Sequence, residues 1–339
     1  MLVIMQQDST VEQCAKVEDV IREMGYEPLP VPGESRTAIC VTGNKGPVDP
    51  SHLQRLAGVR ECVSVTRPYK LVSREVKLES TVVDVSGVEI GGSDPVLIAG
   101  PCSVETPEIT LAIADAVKRA GGQLFRAGAF KPRTSPYSFQ GFGYEALDTL
   151  AAVREQVGLP IVSEVVDTDA VGPMSEVVDM LQIGSRNMHN FALIKKLSMV
   201  RMPILLKRGL SASLEEWMLV AEYLLSAGNH QVILCERGIR GLAGHARNIF
   251  DLNVVPLVRS ISHLPIIADP SHGVGDRSRV RAMSRAALAC GAQGLLVEAH
   301  TTPDSAFTDA AQTIDMDSLS GIHRDMKNLK GLENLSLDQ

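Results

Sequence analysis

VLIAGPC at 96–102, QLFRAGA at 123–129, LPIVSEVVD at 159–167, DMLQIGSR at 179–186, PILLKRG at 203–209, QVILCERG at 231–238, LPIIADPSH at 264–272 and GLLVEAH at 294–300 are apolar runs of strand length. Between them lie segments with helical periodicity, such as EITLAIADAVKRAGG at 108–122, LEEWMLVAEYLLSAG at 214–228 and SRVRAMSRAALACGA at 278–292, each with Gly at its end as a helix C-terminus prefers. Strand then helix, eight times, predicts a closed parallel (β/α)8 barrel. The runs are apolar on both faces, as strands covered inside and outside must be. An open doubly wound sheet would favour a Gly-rich phosphate fingerprint after its first strand, and GPCSVET at 100–106 is not G-x-G-x-x-G.

Outward from the barrel, residues 1–72 obey another grammar. LVIM at 2–5, VEQCAKVEDVIREMG at 11–25, TAICVTG at 37–43, SHLQRLAG at 51–58 and VRECVSVTR at 59–67 read as β-α-β-(β)-α-β, the split βαβ pattern of ferredoxin-like and ACT-like α+β domains. A packing or oligomerisation module and a ligand-sensing regulatory module both fit it. Residues 73–95 are polar and Gly/Ser-containing, a connector with room for a short hairpin, and the barrel is expected over 96–330. Residues 331–339 form a polar tail.

The whole chain has 339 residues, 33 Lys+Arg against 40 Asp+Glu, and a net charge of −7. An acidic balance excludes a nucleic-acid or anionic-membrane surface, which needs a basic field, so any phosphate binding must be local. Six cysteines without a C-x-x-C pair give neither a Cys-only zinc motif nor a dense disulfide framework, and point to a reducing compartment. With no signal-like N-terminus and no stretch approaching a membrane span, a cytoplasmic protein is expected.

In such a barrel the site forms at the C-terminal ends of the strands. The residues closing the runs are Cys102, Arg126, Glu164 with Asp167, Arg186, Lys207 with Arg208, Glu236 with Arg237, Asp269 with His272, and Glu298 with His300. Arg126, Lys131, Arg133, Arg186, Lys207 and Arg237 would share one mouth. Two cations ~8 Å apart repel by about 2 kcal/mol at an effective dielectric of ~20. The mouth is therefore either built for more than one anionic group or neutralised by Glu164, Glu236 and Asp269. Cys102, His272, Glu298 and a carboxylate past the last strand, with Asp309 the candidate, make a workable ligand set for a divalent transition metal. Read singly, Cys102 is equally a small buried hydrophobe and His272 a turn cap.

AGPCSVE at 99–105, FRAGAFKPRTSPYSFQGFG at 125–143, QIGSRNMHN at 182–190, LLKRG at 205–209, ILCERGIR at 233–240 and DPSHGVGDR at 269–277 together closely resemble 3-deoxy-D-arabino-heptulosonate 7-phosphate (DAHP) synthase, in the barrel subtype with an N-terminal ferredoxin-like domain. The resemblance implies condensation of phosphoenolpyruvate with erythrose 4-phosphate, the first step of the shikimate pathway to chorismate and the aromatic amino acids. It implies a single divalent metal, Mn2+ or else Fe2+, Co2+, Zn2+ or Cd2+, on Cys102, His272, Glu298 and Asp309. It implies that Arg126, Lys131, Arg186, Lys207 and Arg237 hold phosphoenolpyruvate, and that Arg133, Thr134 and Ser135 take the aldose phosphate. Cys102, His272 and Lys131 then carry the chemistry, Lys131 as proton donor, its pKa lowered among cations, or as an anion contact only. His189 stands where the family has Gln, and Ala310 where Gly is common.

The same resemblance makes a homo-oligomer, a tetramer, and feedback by Tyr or Phe at the N-terminal domain reasonable expectations. Its rivals are the sister synthase acting on arabinose 5-phosphate, expected to carry a KANRS-like string where this chain has KPRTS at 131–135, a catalytically dead regulatory barrel, and a metal-dependent aldolase or hydrolase.

Overall fold

The computed structural model describes residues 1–32, 37–44, 48–63, 68–133, 135–242 and 244–333. It divides into two compact units, Met1–Ser80 with Ser260–His263, and Thr81–Arg259 with the chain from Leu264 onward.

In the first unit, strands β1 (Leu2–Met5), β2 (Glu27–Pro32), β3 (Thr37–Thr42) and β4 (Val59–Val63) form one sheet in the order β2-β3-β1-β4. A helix over Val11–Glu23 begins at a capping box in which Thr10 accepts from the Gln13 amide and the Gln13 side chain accepts from that of Thr10. Its Val17 and Ile21 bury against Val3, Met5, Ile39 and Val41 of the sheet. One local expectation fails, and one strand appears where the sequence reading assigned nothing. SHLQRLAG makes hydrogen-bonded turns rather than a second helix. EPLPVP becomes the edge strand β2, because prolines at 28, 30 and 32 all lack their donor on one side of the strand, the side that an edge leaves unpaired. Residues 64–67, the end of VRECVSVTR, lie outside the described residues.

The second unit opens with a hairpin of β5 (Val83–Val85) and β6 (Val88–Ile90), turned by Ser86 and Gly87 at φ +49 and +90 as a two-residue type I′ loop requires. Eight strands follow: β7 (Val96–Gly100), β8 (Leu124–Arg126), β9 (Ile161–Val165), β10 (Met180–Ile183), β11 (Ile204–Lys207), β12 (Val232–Glu236), β13 (Ile266–Ala268) and β14 (Gly294–Glu298). All pair in parallel with their sequence neighbours, and β14 closes on β7. Each lies within one of the eight runs read from the sequence.

Two layers of the barrel's inner face bear on the site, set by the two-residue period of a strand. Ile98, Leu124, Val162, Met180, Leu205, Cys235, Ile267 and Leu296 form a buried apolar layer, and Val83, Val85 and Ile90 of the hairpin pack into the same cluster. Two residues further along seven of these strands stand Arg126, Glu164, Gln182, Lys207, Arg237, Asp269 and Glu298. The hairpin thus fills one end of the barrel with hydrocarbon, while the strand ends opposite it carry charge.

Candidate active site

Among the described residues, six of the seven side chains of the charged layer are paired around the ring, and Arg237 is not. Arg126 Nη1 donates to Glu298 Oε1 at 3.0 Å across β7. Gly100 stands between the two strands, and a Cβ there would lie 2.3 Å from the Arg126 carbonyl. Lys207 Nζ donates to Asp269 Oδ2 at 2.5 Å across β12, and Gln182 Nε2 donates to Glu164 Oε2 at 2.9 Å. Arg208 and Glu236 pair with each other at 3.2 Å, Arg208 also holds Asp251 at 2.9 Å, and Asp167 accepts from the Asp169 and Ala170 amides ahead of the next helix. These three strand-end charges serve the scaffold.

Above this layer lies a cavity of about 260 Å3. It is lined by Arg126, Lys131, Arg133, Arg186, Lys207, Arg237, Arg240 and Arg247, with only Glu164 and Asp309 as acids. Internal neutralisation therefore accounts for some of the cations. Among the described residues, Arg133, Arg186 and Arg237 have no carboxylate within ion-pair distance: Arg186 reaches only the Pro132 carbonyl, at 3.5 Å, and Arg237 only that of Gly238, at 3.2 Å. Burial lowers the Arg237 pKa against the opposing pull of Asp269. Among the described residues, the buried nitrogens Arg126 Nε and Arg133 Nε and the Ser185 hydroxyl have no partner. A cavity of unmatched guanidiniums is a receptor for anions.

Beside it, ligand atoms of Cys102, Glu298 and Asp309 lie within 4.8 Å of one another. The His272 ring stands outside that group of three and touches it at Glu298 alone, with Nε2 3.5 Å from Glu298 Oε1. Its Nδ1 lies 2.8 Å from Asp269 Oδ2, and since a carboxylate only accepts, Nδ1 carries the proton and Nε2 is left with a lone pair. Burial depresses the His272 pKa and favours that neutral form. Burial alone would raise Glu298 and Asp309. The charges of His272 and Arg126 on Glu298, and of Lys131 on Asp309, hold both below the usual carboxylate range. The Cys102 thiol is pushed up to about 12 by burial and by Glu298, and donates to Asp309 Oδ2 at 3.1 Å.

The ammonium of Lys131 sits where these groups converge, bonded to Cys102 Sγ and, at 2.8 Å, to Asp309 Oδ2. A cation already sits against a thiol and a carboxylate of that group, and with His272 beside Glu298 the donor types fit a divalent transition ion. The same surroundings correct the expected state of Lys131. Burial pushes its pKa down, but Cys102, Glu298 and Asp309 outweigh it, and the pKa rises.

Asp309 adopts φ +53, a left-handed conformation that Asp tolerates. Its loop is laced to the first barrel loop through Ser103 Oγ and Thr308 Oγ1 at 3.1 Å, and through the Phe307 amide, which donates to Glu105 Oε1 at 3.0 Å. Ser135 is not part of the cavity wall; its hydroxyl accepts from the Tyr137 amide at 3.3 Å. Thr134 lies outside the described residues. His300 is buried beside Glu105, away from the cavity, and His189 is half-exposed near Glu216. Arg240, Arg247 and Asn248 line the cavity, and Gln312 backs Glu298, without having been marked in the sequence. They stand in loops with no apolar run to flag them. Gln182 had a signal, as the one polar residue inside MLQI, in step with Met180.

Comparison with known proteins agrees with this geometry. Residues 74–333 match the DAHP synthetase I family and residues 1–67 the DAHP synthase ferredoxin-like domain. The chain is 41% identical over 329 residues, 97% of each protein, to phospho-2-dehydro-3-deoxyheptonate aldolase of Thermotoga maritima. The crystal structure of the Thermotoga maritima enzyme superposes with a TM-score of 0.78 at 40% identity, covering 98% of this chain and 97% of that one. A 2-dehydro-3-deoxyphosphooctonate aldolase of Desulfatibacillum aliphaticivorans is more distant, 34% identical over 68% of this chain and 90% of its own. Matched over most of its length to one family and almost end to end to a solved relative, this carbon–carbon bond-forming enzyme belongs to the DAHP synthetase I family.

Proposed function

We propose that the chain condenses phosphoenolpyruvate with D-erythrose 4-phosphate to give DAHP and phosphate. The observation that carries this reading is the cavity of unpaired guanidiniums beside a Cys/Glu/Asp cluster with His272 next to its Glu298. Arg186, Arg237 and Lys207 stand on three successive strand ends and take the phosphate and carboxylate of phosphoenolpyruvate, with Arg126 from the inner layer. Arg133, on the cavity wall, takes the aldose phosphate. Two anionic ends fixed in this way hold the enol carbon against the aldehyde, which is the larger part of catalysing a bimolecular step.

Cys102, His272, Glu298 and Asp309 would hold the divalent ion, Mn2+ or a neighbour in the same series; when bound, it supplies Lewis-acid polarisation of the aldehyde and a template for both substrates. The carbon–carbon bond forms between C3 of phosphoenolpyruvate and the aldehyde carbon. Water adds to the resulting cationic C2, the bond from C2 to the phosphate oxygen breaks, and a ketone and inorganic phosphate result. Lys131 supplies the proton that the aldehyde oxygen takes up, since its raised pKa keeps the ammonium charged at neutral pH. In the N-terminal domain, Tyr or Phe bound between copies in a homo-oligomer gives feedback on the pathway.

The test is phosphate release from phosphoenolpyruvate with erythrose 4-phosphate, with arabinose 5-phosphate and with neither, before and after chelation and Mn2+ add-back. Release with erythrose 4-phosphate alone, lost on chelation and restored by metal, is expected. Release with arabinose 5-phosphate would move the reaction to the sister synthase, and no release at all would leave a binding barrel. Inhibition by Tyr or Phe should disappear in a chain lacking residues 1–72; inhibition that survives removes the effector from that domain.

A further inference from the structure

The carboxylate of Glu298 is held from both ends. Its Oε1 accepts from Arg126 at 3.0 Å and faces His272 Nε2, while Oε2 accepts from Gln312 Nε2 at 2.6 Å. Gln312 is 2% exposed and lies in the turn just after Asp309; the Gln312 amide donates to the Asp309 carbonyl at 3.1 Å. The far end of its side chain, Oε1, accepts from Arg247 Nη1 at 2.8 Å. Arg247 is half-exposed on the cavity wall and lies 4.0 Å from Asp309 Oδ1. The amide can be placed only one way round. Guanidinium has no acceptor and carboxylate no donor, so oxygen faces Arg247 and nitrogen faces Glu298.

We infer that Gln312 is a positioning residue, an amide strut braced on Arg247 that holds Oε2 of Glu298 and so fixes the turn of the carboxylate, whose Oε1 is presented to Arg126 and His272. The inference rests on the metal reading of that cluster. A carboxylate held at one oxygen only can turn about that contact; one held at both, by Arg126 and by Gln312, keeps one fixed orientation toward an ion. Partners at this remove from an ion set ligand orientation, and losing one weakens metal binding about 10- to 100-fold.

Mn2+ binding to the chelated full-length chain, followed by the electron paramagnetic resonance of the free ion, separates this role from simple charge or packing. Gln312→Met keeps the shape and removes both hydrogen bonds. Gln312→Glu keeps a partner for Arg247 and loses the donor to Glu298, while adding a negative charge close to the cluster. Positioning requires both variants to bind Mn2+ at least tenfold more weakly, with the Co2+-loaded visible spectrum altered as well. A Met variant within twofold of the parent overturns it. So does tighter binding by the Glu variant, since added charge would then govern the affinity. If the Met variant does not fold, as its thermal transition would show, the Glu variant decides. A parent chain that binds no Mn2+ removes the metal reading and this inference with it, whereas a parent that binds and variants that match it remove the inference alone.

Discussion

Lys131 and Cys102 show how a side chain's surroundings decide its chemistry. With Lys131 protonated against Asp309, Lys131→Met should lower kcat by about two to four orders of magnitude, the usual worth of a positioned general acid. Turnover within tenfold and a raised KM alone would make Lys131 an anion contact. Cys102 is 3% exposed and a reluctant thiol, so in chelated protein at pH 7.5 iodoacetamide should modify the half-buried Cys14 and Cys290 well before it. Peptide mapping that finds Cys102 labelled first would contradict the geometry. Strand-end residues such as Arg126, Lys207 and His272 were legible because each closes an apolar run. Gln312 and Arg247 were not, because a long-range bond between two irregular loops leaves no period in the sequence.

At the scale of elements, three of the barrel helices stop by one device. After Pro107–Arg119, Gly121 donates to the Lys118 carbonyl and Gly122 to that of Val117; the pattern repeats at Gly228 and Asn229 and at Gly291 and Ala292. A Cβ at Gly121, φ +98, would meet the His323 ring at 2.4 Å, whereas at Gly158, φ +73, the nearest atom is the end of Lys118 at 3.5 Å. Gly158→Ala should therefore cost about 1–2 kcal/mol, the left-handed strain alone, and Gly121→Ala clearly more. Urea titrations giving equal losses would show that the His323 contact relaxes freely. Helix ends were legible through these glycines, as were strands through their runs. Residues 51–58 misled because SHLQRLAG offers a helix's apolar spacing over too few residues for its hydrogen bonds to repay nucleation.

Across the whole molecule, depressed carboxylates and imidazoles set the acid response, His272 and His323 among them. His272 is depressed in the folded state, so the unfolded chain takes up a proton first and stability falls as pH drops below about 6.5. Asp269, Glu298 and Asp309 are depressed acids; each favours the fold above about pH 4 and loses that contribution as pH falls through its lowered value. Urea midpoints of chelated protein, read by Trp217 fluorescence, should therefore decline between pH 7.5 and 5.5 and more steeply below 4. A midpoint independent of pH over that range would contradict these assignments. Ile90 belongs to no barrel strand, yet it is fully buried in the apolar layer, and Ile90→Ala should cost about 2–5 kcal/mol. A loss under 1 kcal/mol would mean that the hairpin is not part of the core.

That plug of Val83, Val85 and Ile90 gives the barrel a floor and so a single door. Traffic through one door runs last in, first out: whatever lodges nearest the rim detains what lies beneath it. An unreactive mimic of the outer substrate would then act as a cork, slowing the escape of the inner one without touching it.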